Sequence, residues 1–245
     1  MSDQWLTIVG ATISVFSVIG IGAASRRAGW LSEAADRSLL ELVIRVLLPC
    51  LAFSAVSTNE ALKLPVNVYL PPLAGFVTMC LGFAVAAMLV GLPARWIGPA
   101  NARQRHTFIF SVGAHNYGYL AIPLVMQLFD DDTLGVLFMH NMGAALAFWS
   151  IGFMLLSGKF DRRWWRHVIN PPTVAILIAL AFNFLGVGQH IPDFINTTIE
   201  WLGKSSIPLS LILIGATIAD EIRPNGQGPN LAATVKMIGW SCLLR

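Results

Sequence analysis

Eight apolar runs separated by short charged islands leave this chain few folds to adopt. They cover Gln4–Ala24, Ser38–Ser57, Val66–Leu92, Thr107–Phe129, Thr133–Ser157, Val168–Val187, Ile195–Ala219 and Leu231–Arg245. A helix rises about 1.5 Å per residue, so about 20 apolar residues traverse the hydrocarbon core of a bilayer. Inside that core each backbone N–H and C=O must be paired within the protein, which restricts the chain to helices or a closed barrel. The runs are continuous and do not alternate over about ten residues, so they read as helices. Only 12% of the 245 residues are charged, about half the load of a soluble domain. The expected fold class is an all-α polytopic membrane protein.

The two ends refine the expectation. The start, "MSDQW", carries Asp3 and no basic segment, so the first run is expected to stay as a span and not to be cleaved as a signal. The last run reaches Arg245 after 15 residues, whereas a crossing takes about 17–25. It reads as a span cut short, so the sequence is expected to be C-terminally truncated.

Basic residues set the orientation. Arg26, Arg27 and Arg37 lie between runs one and two, and Arg95, Arg103 and Arg105 between three and four. Lys159, Arg162, Arg163 and Arg166 lie between five and six, and Arg223 between seven and eight. The alternate loops hold Lys63 against Asp130, Asp131 and Asp132. The odd-numbered loops are therefore expected in the cytoplasm and the N-terminus outside, in a multi-pass inner (plasma) membrane protein. Trp30, Trp96, Trp164, Trp165 and Trp201 fall near span ends, as interfacial anchors do. This placement also accounts for the net charge of +3, so no nucleic-acid partner is implied. Cys50, Cys80 and Cys242 sit unpaired in apolar stretches and read as small buried hydrophobes, not metal ligands.

Two runs resemble one another. In "LLELVIRVLLPCLAFSAVS" Glu41, Arg45 and Pro49 are spaced like Glu200, Lys204 and Pro208 in "IEWLGKSSIPLSLILIGAT". The orientation count puts the two starts on opposite sides. Similar helices five spans apart and oppositely directed point to inverted five-helix repeats, a pattern of secondary transporters. Residues 1–160 would form the first repeat and 161–245 an incomplete second one. The plainer account is an i,i+4 ion pair and an unremarkable proline in each helix. For Glu41 and Arg45, a snorkelling pair is the simplest reading, and Glu41 is the main carboxylate the spans offer.

The fourth run has an anomalous centre, "SVGAHNYGYLAIPL". It places Gly113, His115, Asn116, Tyr117, Gly118 and Pro123 where lipid is driest. Non-helical backbone survives there only when buried in protein or facing a watery cavity. One reading is a broken helix whose half-helix ends face a ligand, a device suited to an anion. The other is a continuous helix with glycines at packing sites, a kink at Pro123, and polar side chains bonded to neighbouring helices. The fifth run adds His140 and Asn141 in "MHNMG". Asn170–Pro171–Pro172 reads as a helix cap followed by proline in the first turn.

"RRAGWLSEAADRSLLELVIRVLLPCLAFSAV", "HNYGYLAIPLVMQLFD", "NPPTVAILIALAFNFLGV" and "IPLSLILIGATIAD" occur in this order over most of residues 20–220. Together they resemble the auxin efflux carrier family, in the short-loop form of its bacterial members. The resemblance implies a ten-span transporter of two inverted repeats, similar in fold to bile acid/sodium symporters. It implies a broken span 4 that meets span 9 at mid-membrane, with an organic anion beside the crossing. Asn116 would be the crossover asparagine, and His115 stands where plant members often carry proline. Tyr117, Gly118 and Pro123 would shape the half-helix and Asn141 would approach from span 5. Pro49 and Pro208 would mark the paired bends.

The expected function is secondary transport of small organic anions or carboxylates by alternating access, with substrate bound at His115, Asn116, Tyr117, Gly118 and Asn141. A multi-span sensor or receptor without transport is the alternative. No cofactor is implied; a proton or sodium could be the coupling ion, with His115 and His140 the titratable candidates. The bilayer is the other partner, and a homodimer is compatible. Enzyme chemistry finds no support: there is no His-Glu-x-x-His and no mid-span aspartate pair. Lys204 starts its span without a mid-depth aspartate counter-ion, which argues against a retinal Schiff base.

Overall fold

The computed structural model describes residues 2–91, 102–118, 121–157 and 165–222. Every regular element among them is helical: α1 (Ser2–Arg27), α2 (Glu33–Ser57), α3 (Val66–Gly91), α4 (Ala102–Gly113), α5 (Ala121–Leu128), α6 (Asp131–Ser157), α7 (Trp165–Val168), α8 (Pro171–Phe184) and α9 (Asp193–Glu221). Single 3-10 turns cover Ala61–Lys63 and Val187–His190. Among the described residues, five helices are long and apolar enough to cross a bilayer: α1 from Leu6, α2, α3 to Val90, α6 and α9. The protein is an all-α polytopic membrane protein. The expected eighth span, the truncation, Trp96, Trp164 and Cys242 lie outside the described residues.

Helix ends depart from the apolar runs for local reasons. α2, α6 and α9 each begin before the run does, because their first turns hold Glu33 and Asp36, Asp131 and Asp132, and Asp193. Carboxylates are stabilised beside the unpaired N–H groups of a helix start. α8 is shorter than its run. Its first turn opens at Asn170, whose Oδ1 accepts the Thr173 amide at 3.0 Å, with Pro171 and Pro172 behind it. It closes where Gly186 turns left-handed at φ 67°. The fourth run is not one helix: α4 stops at Gly113, residues 114–118 are non-helical, and α5 starts at Ala121. Within α2, Val43–Leu47 is a π turn in which the Leu48 amide donates to the Val43 carbonyl. The wider turn immediately precedes Pro49, which has no N–H of its own to continue the ladder. A second π turn, Phe148–Gly152, lies in α6.

The chain packs as two compact units, which do not follow the two halves of the sequence. The first comprises Met1–Pro71, Tyr117–Met139 and Asn170–Arg223. Here Val43 and Leu47 of α2 pack with Leu213 of α9, while Leu51 lies against Gly203. Residue numbers rise along α2 as they fall along α9, so the two helices are antiparallel. At one end of this unit α1, α2 and α9 meet through Arg26, which is 3% exposed. Its Nε lies 3.0 Å from Asp220 Oδ2, its Nη2 pairs with Asp36, and Nη1 donates to the Leu31 carbonyl at 2.7 Å. At the other end Asn183 Nδ2 donates to the carbonyls of Val56 (2.9 Å) and Asn59 (2.8 Å). Asn59 in turn donates to the Ala55 and Asp132 carbonyls, both at 3.0 Å, and accepts the Leu62 amide at 3.1 Å. Two asparagines thus terminate α2 and tie it to α8 and the start of α6.

Three expectations are corrected. Arg26 does not lie in the loop between runs one and two but in the last turn of α1, where two carboxylates from other helices pair with it. Glu41 is not the main enclosed carboxylate: its side chain is 48% exposed beside Arg45, at 3.8 Å, while Asp36 and Asp220 take the more enclosed places around Arg26. Cys50 and Cys80 are half-buried rather than fully buried.

The second unit comprises Pro72–Asn116, His140–Ile169 and Pro224–Arg245. Its spine is α3. Leu73, Val77, Leu81, Val85 and Met88 form one exposed apolar stripe, while Met79, Phe83, Ala86 and Val90 are buried on the opposite face. A contiguous exposed apolar stripe of this kind suits lipid. On the buried face α4 runs antiparallel to α3: Phe83 meets Gly113, and Arg105 Nη2 donates to the Val90 carbonyl at 3.1 Å. Phe83 stacks on Phe110, which tilts against Phe148 of α6.

Candidate functional site

The site is assembled on α3 by close backbone approach. A Cβ at Gly75 would overlap the His140 carbonyl, and one at Gly143 would overlap the Pro72 carbonyl. A Cβ at Gly82 would overlap the carbonyl of Gly113, the last residue of α4. Gly75 and Gly82 are seven residues apart, about two turns on one helix face. One stripe of α3 therefore seats both His140 on α6 and the end of α4. His115 follows two residues after that end.

His115 and His140 are brought together: their rings lie 6.4 Å apart between centroids, at 50°. Nδ1 of His140 lies 3.4 Å from Oδ1 of the adjacent Asn141. Asn141 is buried and the two histidines half-buried, while Asn116 is exposed. Tyr117 and Gly118 are half-buried and pack with the first unit. Pro123 is buried in the first turn of α5, where its missing N–H costs no helix bond. Pro208 lies inside α9. Among the described residues no cluster of metal-ligating side chains occurs.

Among the described residues, the charges of the second unit are one-sided. Its described residues include His106, His115, His140, His167, Arg105 and Arg166, and no aspartate or glutamate. His167 stacks on Trp149, with ring centroids 5.1 Å apart. By contrast, a cavity of about 350 Å³ in the first unit is lined by Asp131, Asp132, Asn59, Asn196, Glu200 and Lys204, among others. Lys204 there is paired with Glu200 at 3.1 Å. That cavity contains none of the residues expected to bind substrate, and its excess of carboxylates makes it a poor seat for an anion. The glycine cradle on α3 went unnoticed in the sequence, although the Gly75–Gly82 spacing and the small-residue face were there to find.

The family described as "Membrane transport protein" matches residues 7–162 and 158–244. An uncharacterized transporter of Methanothermobacter thermautotrophicus is 27% identical over 226 residues, covering 87% of this chain and 70% of that protein. An uncharacterized transporter of Methanocaldococcus jannaschii is 22% identical over 220 residues, covering 84% of this chain and 68% of that protein. With matches running across both packing units and nearly all of the sequence, the chain belongs to the Membrane transport protein family and is a multi-span membrane transporter.

Proposed function

We propose that this transporter carries small organic anions, carboxylates foremost, by alternating access. The observation that carries the reading is the non-helical stretch after Gly113, which sets His115 beside His140 and Asn141 in a unit whose described residues hold no carboxylate. Imidazole and side-chain amide donors suit a carboxylate and disfavour a cation. His115, Asn116, Tyr117, Gly118 and Asn141 form the substrate site in this proposal. The division into two compact units supports movement of one bundle against the other.

The antiparallel packing of α2 and α9 supports an inverted repeat. Glu200 and Lys204 form the same i,i+4 pair as Glu41 and Arg45. Residues 1–160 are one repeat in this reading and 161–245 belong to the second. Pro49 and Pro208 hold equivalent places, and the interruption in run four is half of a crossover like that of bile acid/sodium symporters. The end of the first unit bearing Arg26 faces the cytoplasm and the N-terminus lies outside, in the inner membrane.

Flux into vesicles containing the purified protein tests this. Labelled mono- and dicarboxylates should enter or exchange, and cationic or neutral analogues of the same size should not. Absence of flux for every carboxylate, with intact folded protein, would overturn the anion reading.

A further inference from the structure

The cavity of about 350 Å³ in the first unit lies at the end of α2 that Asn59 closes. All of its walls belong to that unit: the last turns of α2, Met126 of α5, the start of α6, and α9 from Asn196 to Lys204. Glu200 and Lys204 balance one another at 3.1 Å. Asp131 and Asp132 add two carboxylates, and Asp132 Oδ1 accepts the Glu60 amide at 3.1 Å. Their place in the first turn of α6 explains why the fold tolerates them, so alone they do not point to a ligand.

Ser57 does. Of the three buried serines among the described residues, Ser206 and Ser210 donate to carbonyls of their own helix, at 2.6 and 2.7 Å. Ser57 is 5% exposed and lines the cavity, and its hydroxyl has no hydrogen-bond partner among the described residues. Ser54, three residues earlier on the same face of α2, lines the cavity too and likewise lacks one there. An unpaired buried hydroxyl is costly, and a helical serine can meet that cost by bonding one turn back. Here two hydroxyls border a cavity instead, beside the apolar wall of Leu51, Phe53, Leu134 and Ile199.

We propose that this cavity binds a small organic ammonium ion, with its N–H donors shared among Ser57, Asp131 and Asp132 and its carbon chain against the apolar wall. An ammonium group carries three N–H donors and no acceptor, which suits a site of hydroxyl and carboxylate oxygens. A bare metal ion would use those oxygens and leave the apolar wall without a role. The bound ion would join α2 to the start of α6 and to α9 within the first unit. The proposal stands apart from the anion reading and from the orientation of the chain in the membrane.

The test is equilibrium dialysis of labelled n-butylammonium against the full chain in phosphatidylcholine nanodiscs, with empty nanodiscs as background. Saturable binding at one ion per chain is expected. Unlabelled butylammonium should displace the label; n-butanol, butyrate or calcium at matched ionic strength should not. Asp131→Asn and Ser57→Ala should each raise the dissociation constant about tenfold, as loss of a hydrogen bond to a charged group does. Asp130→Asn removes the same charge one residue outside the cavity and should leave binding unchanged. Absence of saturable binding to the wild-type chain would overturn the proposal. So would displacement by any of the three competitors, or equal weakening by Asp130→Asn and Asp131→Asn, the mark of diffuse surface attraction. Ser57→Ala decides if Asp131→Asn fails to fold, since alanine suits the helix; unaltered binding in that variant would overturn the site.

Discussion

Gly75 of α3 lies so close beneath His140 of α6 that a Cβ on the glycine would overlap the histidine's carbonyl oxygen. The obstacle is backbone on both sides, so no rotamer change relieves it. Gly75→Ala should force α6 away from α3, at about 1–3 kcal/mol for overpacking, and reduce transport along with stability. Gly20, on α1, has open space where its Cβ would go, and Gly20→Ala should leave stability unchanged or slightly raised. Thermal unfolding of the two variants in the same detergent makes the comparison.

Asn183 makes two bonds that no apolar residue can replace, to the Val56 and Asn59 carbonyls. Asn183→Leu removes both donors and leaves the carbonyls at the end of α2 without them. The expected loss is about 2 kcal/mol, from net hydrogen-bond energies near 1 kcal/mol each. Asn183→Asp should be worse than Leu, because a carboxylate would face those carbonyls as an acceptor. Unfolding midpoints of the two variants give the order.

Arg26 is enclosed between Asp36 and Asp220, whose side chains are 33% and 26% exposed. Arg26→Met leaves two facing carboxylates without their cation. Breaking a fully buried pair costs about 3–5 kcal/mol; the partial exposure of both aspartates places this variant toward the lower end. Asp36→Asn should cost less, since Asp220 still balances the guanidinium. Adding Asp36→Asn and Asp220→Asn to Arg26→Met should recover part of the loss, which a comparison of unfolding midpoints reads directly.

Asp130 precedes α6, where the Thr133 hydroxyl and then the Thr133 amide, which donates at 2.9 Å, hold its carboxyl below the usual aspartate range. A depressed folded-state value means the cap's contribution is complete above the unfolded value, about 3.9, and fades as pH falls through the folded one. Amide-exchange protection in the first turn of α6 should therefore drop in strong acid. Asp130→Asn, which keeps an acceptor without the titrating charge, should show no such step.

The apolar runs made most spans legible, down to the start of α3 at Val66. What they could not show was pairing at a distance. Arg26 looked like one more loop charge because its partners, Asp36 and Asp220, lie on other helices. Acidic first turns were likewise misread as loop, since polarity outside an apolar run says nothing about whether the helix continues. The interruption in run four was visible as a collision of glycine, proline and polar residues. That His115 would lie against His140 was not, because their approach depends on how α3 seats both neighbours through Gly75 and Gly82. Periodicity reports which face a residue occupies, not what stands opposite it.

The account depends most on the residues after Gly113 binding the transported anion. Asn116 is exposed beside that interruption, so its replacement should spare the fold. Carboxylate flux into vesicles, compared between the wild-type protein and Asn116→Ala at matched unfolding temperature, tests this most directly. The account predicts flux in the wild type and a loss of tenfold or more, about 1.4 kcal/mol, in the variant. Equal flux in both would contradict it.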